Sequence, residues 1–150
     1  MKEQQYKTFL PQLQALIEGV DDEISILANI SAALHTEFQW FWTGFYIVKT
    51  SLHLGPFQGT PACYTIPYGR GVCGTAWKEK KTIVVRNVED FPGHIACSAL
   101  SRSEIVVPIK DKHGDVRAVL DIDSKEIGTF DDIDKNYLEQ VAKLIEEALY

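Results

Sequence analysis

Sulfur is scarce in this chain: its 150 residues include three cysteines and one methionine. The cysteine spacings of ten (63 to 73) and twenty-four (73 to 97) match no paired CxxC or HxxxH arrangement, so a structural zinc site is not expected, although His94 lies near Cys97. Basic clusters are missing as well. With 21 acidic against 15 basic residues the net charge is -6, and no block of lysine or arginine interleaves with aromatics, which argues against a nucleic-acid partner. No apolar run approaches the roughly 20 residues of a membrane helix, and the opening MKEQQYKTF lacks the basic and apolar regions of a secretory signal. A cytoplasmic location is the resulting expectation, and in that reducing compartment cysteines are catalytic, redox-sensing or inert rather than permanently bridged. There are no internal repeats, low-complexity tracts or linkers, and the length fits one domain spanning residues 1–150 that needs neither disulfide nor metal to hold a core.

Apolar periodicity supplies the frame. Tyr6, Phe9, Leu10, Leu13, Leu16 and Ile17 recur at helical spacing with Pro11 as a flaw, which predicts a helix, whole or broken. Asp21 or Asp22 caps a second amphipathic helix reaching about Thr36. From Phe38 to Val48 aromatic and β-branched residues predict a strand, apolar on both faces at its start. Trp42, Phe45 and Tyr46 cannot all point into one core, so the strand is either covered by helices on both sides or forms a pocket wall. Further strands are expected over SLHLGPFQG, Ala62 to Ile66, and Thr82 to Val88, and a helix over Val72 to Lys80 after the GRG turn. A hairpin follows, with strands Glu104 to Lys110 and Val116 to Ser124. Thr129 or Asp131 then caps a final helix through Tyr150, whose apolar stripe is core or dimer seam. Helices at both ends with antiparallel strands between predict an α+β fold: one sheet, terminal helices on one face, and loops on the other.

All three cysteines fall between Cys63 and Cys97. Cys73 lies in the first turn of a helix whose unpaired amides can hold an anion; that place lowers a thiol's pKa if it is exposed, while packing by Val72, Ala76 and Trp77 would bury it. Cys97 lies in EDFPGHIACSALSRS, a long irregular stretch of the sort that shapes sites. Asp121 and Asp123 share one strand face, and Glu104 opens the neighbouring strand. If these carboxylates face solvent they are ordinary; if buried together, they raise one another's pKa and leave a carboxylic acid protonated near neutrality. A thiol beside such an acid and an aromatic wall suits reduction of a sulfoxide: sulfur is attacked, oxygen is protonated, and the thiol becomes a sulfenic acid that a second thiol resolves.

WTGFY at 42 to 46, GPFQGTPAC at 55 to 63, GRGVCGTAW at 69 to 77, FPGHIACSALSRSEIVVPI at 91 to 109 and VLDIDS at 119 to 124 together resemble the free methionine-(R)-sulfoxide reductases. Those are enzymes of the GAF fold, a PAS-related α+β architecture. The resemblance implies Cys97 as nucleophile, Cys63 as the principal resolving cysteine and Cys73 as an alternative or relay thiol. It implies that Glu104, Asp121 and Asp123 hold the substrate ammonium and supply the proton, with Asp121 or Asp123 as the donor. Trp42 and Tyr46 become the aromatic wall around the sulfoxide methyl, and the amides of Ile95 and Ala96 candidates for the substrate carboxylate. His94 either lowers the Cys97 pKa or holds the loop. The implied reductant is thioredoxin, with no bound cofactor or metal, and a homodimer is the implied assembly. The competing expectation is a non-catalytic GAF module that senses a cyclic nucleotide or another small ligand, since one fold hosts many functions.

Overall fold

The computed structural model describes residues 1–150. Helix α1 (Lys2–Ile17) runs unbroken through Pro11, because Tyr6, Phe9, Leu13 and Ile17 bury one side of it and Pro11 lies on the exposed side. Helix α2 (Glu23–Phe38) is capped by Asp22, whose carboxylate accepts from the Ser25 amide at 2.9 Å. It ends at Gln39 in the left-handed region, φ 57°. Strand β1 (Trp42–Val48) therefore begins four residues later than the aromatic run suggests: Phe38 completes the last helical turn and stacks on Trp40.

The remaining elements are β2 (Leu52–Gln58), β3 (Thr65–Ile66), α3 (Gly71–Glu79), β4 (Ile83–Val85), β5 (Ser103–Lys110), β6 (Val116–Ser124) and α4 (Asp132–Leu149), with a 3-10 turn at Val88–Asp90. They build one antiparallel six-stranded sheet in the order β3-β2-β1-β6-β5-β4. Both edge strands are shorter than expected. Cys63 lies in the loop before β3, outside the strand, and β4 stops at Val85 because the Asn87 side chain accepts from the Glu89 amide and starts the 3-10 turn. For α4 the cap is Asp131, in a reciprocal capping box with Asp134, while the Thr129 hydroxyl pairs with Ser124 at 2.6 Å.

The sheet divides the interior into two cores. On one face Phe45, Ile105, Val107, Ile109, Leu120 and Ile122 pack against α1, α2 and α4. On the other, Trp42, Tyr46, Val106 and Val119 meet α3 and the loops, with Val72, Cys73 and Ala76. Strand alternation makes this division: residues 42, 44 and 46 look one way and 43, 45 and 47 the other. The two-faced apolar character of β1 is thus a helix-covered face and a pocket wall at once.

Candidate active site

Register brings the acids together. Glu104 on β5 is paired with Asp123 on β6, Asp123 with Trp42 on β1, and Asp121 with Val106 and Gly44, so all point to the face away from the terminal helices. Glu104 and Asp121 are each only 6% exposed, and the Asp121 Oδ1 has no hydrogen-bond partner. Burial, followed by the charge of Asp123, pushes Glu104 up to about 8. Burial and Glu104 hold Asp121 well above the usual carboxylate range, and burial and Asp121 do the same to Asp123, although the Ser101 hydroxyl and Glu104 pull Asp123 back. Three carboxyl groups in one dry corner cannot all ionise, so protons stay on the cluster near neutrality.

Trp42 and Tyr46 stand beside them on β1, centroids 6.1 Å apart, and Phe57 stacks on Trp42 at 5.1 Å. The Trp42 indole donates to the Thr60 carbonyl at 2.9 Å, and the Tyr46 hydroxyl donates to the Cys63 carbonyl at 2.9 Å. The aromatic wall therefore also pins the β2–β3 loop. Position 44, between Trp42 and Tyr46 in the strand and paired with Phe57, needs glycine because a Cβ there would overlap Phe57 Cβ and come within 2.8 Å of Trp42 Cη2.

Cys63 and Cys97 form a disulfide with Cα atoms 5.4 Å apart, joining the loop before β3 to the loop before β5. Cys97 lines a cavity with Ile95, Ser98, Ser101, Trp42, Tyr46 and the three acids. Cys73 lines it too, from the first turn of α3, with its thiol free and buried. Burial, then the charge of Asp121, raises that thiol well above its ordinary value, so burial prevails over the helix terminus and Cys73 keeps its proton. Tight packing of α3 against this loop needs Gly71, which has φ +64° and would meet Ile95 at 3.1 Å if it carried a Cβ. In the disulfide form the cavity measures about 40 Å³, room for about three waters.

Ala96 is exposed and does not line the cavity, whereas Ile95 does. Neither amide donates to a backbone carbonyl, while the Cys97 amide is engaged by Ile95 O at 3.2 Å. His94 Nε2 lies 3.6 Å from Glu104 Oε1, and burial lowers its pKa, leaving the ring neutral near pH 7 with no charge to lend to a thiol. Cys73, Glu104 and Asp121 offer ligand atoms within 4.8 Å of one another, a trio that chain spacing concealed because three separate elements supply it.

The GAF domain family model matches residues 21–149. The chain is 53% identical to GAF domain-containing protein A of Dictyostelium discoideum, over 97% of this chain and 92% of that one. It is 40% identical to the free methionine-R-sulfoxide reductase of Saccharomyces cerevisiae, over 98% and 87%. It superposes with a TM-score of 0.96, at 47% identity and over 99% and 90% of the chains, on the free methionine-R-sulfoxide reductase of Neisseria meningitidis solved in complex with its substrate. The chain belongs to the free methionine-R-sulfoxide reductase family.

Some cavity residues of this reductase-family chain escaped sequence reasoning: Phe41, Ile66, Gly71, Val72, Ser98 and Ser101. Most are apolar and locally indistinguishable from core. Ser101 had a signal, since a buried hydroxyl three residues before Glu104 meets the acids once β5 and β6 pair.

Proposed function

We propose that the protein reduces free L-methionine-(R)-sulfoxide to L-methionine. The observation that carries this reading is the convergence on one cavity of Cys97, already paired with Cys63, and three carboxyl groups, of which Glu104 and Asp121 are buried. The Cys97 thiolate attacks the sulfoxide sulfur as the oxygen takes a proton; the hydroxyl then passes to the Cys97 sulfur while the bond between the two sulfurs breaks and its electron pair returns to the substrate, leaving methionine and a Cys97 sulfenic acid. Asp121 is the preferred donor, as the acid with a buried, unpartnered oxygen and a carboxyl held well above its usual range by burial and Glu104. Glu104 and Asp123 receive the ammonium, whose positive charge favours their ionised forms. Trp42 and Tyr46 enclose the methyl, and the open amide of Ile95, the loop residue that lines the cavity, faces the carboxylate. Cys63 then condenses with the sulfenic acid, releasing water and forming the disulfide.

Thioredoxin returns the disulfide to two thiols in this reading, and Cys73 stays reduced as part of the wall instead of serving as a relay. A dithiol-driven cycle fits the cytoplasm and a role in repairing oxidative damage. Leu16, Val20 and Ile24, exposed at the junction of α1 and α2, support a homodimer through the helical layer. Residues 1–150 act as one GAF unit.

A pocket that grips both charges of a free amino acid rejects the same side chain within a polypeptide. The test is an assay of the separated R and S epimers of free methionine sulfoxide, and of the R epimer within a peptide, with dithiothreitol as reductant. Only the free R epimer is expected to yield methionine. Comparable turnover of the S epimer or of the peptide would contradict the reading.

A further inference from the structure

Nine large apolar side chains stand exposed on the protein, and three of them lie on the segments that carry the disulfide. Tyr64, 83% exposed, follows Cys63 directly, and Leu100, 54% exposed, follows Cys97 by three residues. Tyr68, also 54% exposed, leads into α3, whose Gly71 is covered by Ile95 of the Cys97 loop. Its ring is held edge-on to Trp77 at 4.8 Å. The two segments that the bond joins are as uneven in charge as in hydropathy. Residues 59–70 and 91–102 contain Arg70 and Arg102 but no carboxylate, in a chain that has 21 acidic residues. Both arginines are exposed, and neither enters an ion pair within the chain.

Exposed aromatic and aliphatic side chains with unpaired arginines, on two segments that a disulfide ties together, have the composition of a transient protein interface. A small thiol needs no such surface. We infer that Tyr64, Tyr68 and Leu100, flanked by Arg70 and Arg102, form the docking surface for a protein dithiol whose reactive cysteine is bordered by apolar and acidic side chains. The exchange balances: a thiolate of the partner attacks one sulfur of Cys63–Cys97, and the electron pair of that bond leaves on the other sulfur. The partner's second thiol then displaces the mixed disulfide, giving two thiols here and one disulfide on the partner. This inference extends the reading above to its reductant, yet its test requires no sulfoxide.

Reduction of the isolated, oxidised protein is followed by thiol alkylation and mass, once with reduced thioredoxin and once with dithiothreitol. The Tyr64→Ser/Leu100→Ser and Arg70→Glu/Arg102→Glu pairs are compared with wild type. None of these four side chains lines the cavity. Each pair is expected to slow reduction by thioredoxin at least about tenfold, the loss of one substantial contact, and to leave the dithiothreitol rate unchanged. A wild-type thioredoxin rate in either pair, or an equal fall with both reductants, would overturn the inference. Failure of the reductase reading would appear instead as absence of methionine from the epimer assay, with the reduction rates untouched.

Discussion

Three carboxyl groups held largely out of water on one face of the sheet stand there at a cost to stability. Glu104, with its pKa up to about 8, binds a proton in the folded chain that it would release when unfolded between about pH 4.3 and 8. Its contribution to stability is therefore fully present below the unfolded value and is lost as pH rises through about 8. Asp121 and Asp123, also raised, act with the same sign. Glu104→Gln keeps the shape and removes the titration. Its melting temperature relative to wild type should climb between pH 5 and pH 8.5 by about 5 °C, on the order of 2 kcal/mol for a chain of this size. Over the same range its kcat/KM for the free sulfoxide should stay at least about tenfold below wild type, through KM, because one ammonium partner is gone. Thermal melts at the two pH values with matched kinetics decide it; parallel melting curves would show that Glu104 does not carry the buried proton.

At the scale of elements, the site depends on how closely β1 and β2 approach behind Trp42. Gly44 permits that approach, with Phe57 Cβ and Trp42 Cη2 occupying the space a side chain would need. Gly44→Ala should destabilise the fold by about 2 kcal/mol or more, displace Trp42 and weaken substrate binding, measured by thermal melting and indole fluorescence. An unchanged melting temperature would mean that the strands part freely. Much of this arrangement was legible in the sequence. Helical periodicity marked α1, α2 and α4, and alternation placed Asp121 and Asp123 on one face with Glu104 on the next strand. Other features depend on partners that a linear pattern does not name. β-branched composition extended β4 to Val88 and β3 back to Ala62, but pairing ends where Asn87 caps a turn and where the Cys63 loop is needed for the disulfide. The aromatic run carried β1 back to Phe38, because the same residues also complete α2 and stack on its end. GVCG fits an exposed or a buried thiol equally, and only the wall of acids and apolar side chains around Cys73 decides between them.

For the whole molecule, the sheet is a partition. The helical layer holds the larger core, and the opposite layer is left to loops that can place a sulfur over the acids. Cys63 and Cys97 are joined where their two loops meet, beside the cavity that Cys97 lines with the acids. The central claim is that Cys97 is the sulfur that attacks. Its most direct measurement is a single turnover of the Cys63→Ser variant with free methionine-(R)-sulfoxide, no reductant, and dimedone present to trap a sulfenic acid. One methionine released per chain, with the adduct on Cys97, is the predicted result. No methionine, or an adduct on Cys73, would contradict the account.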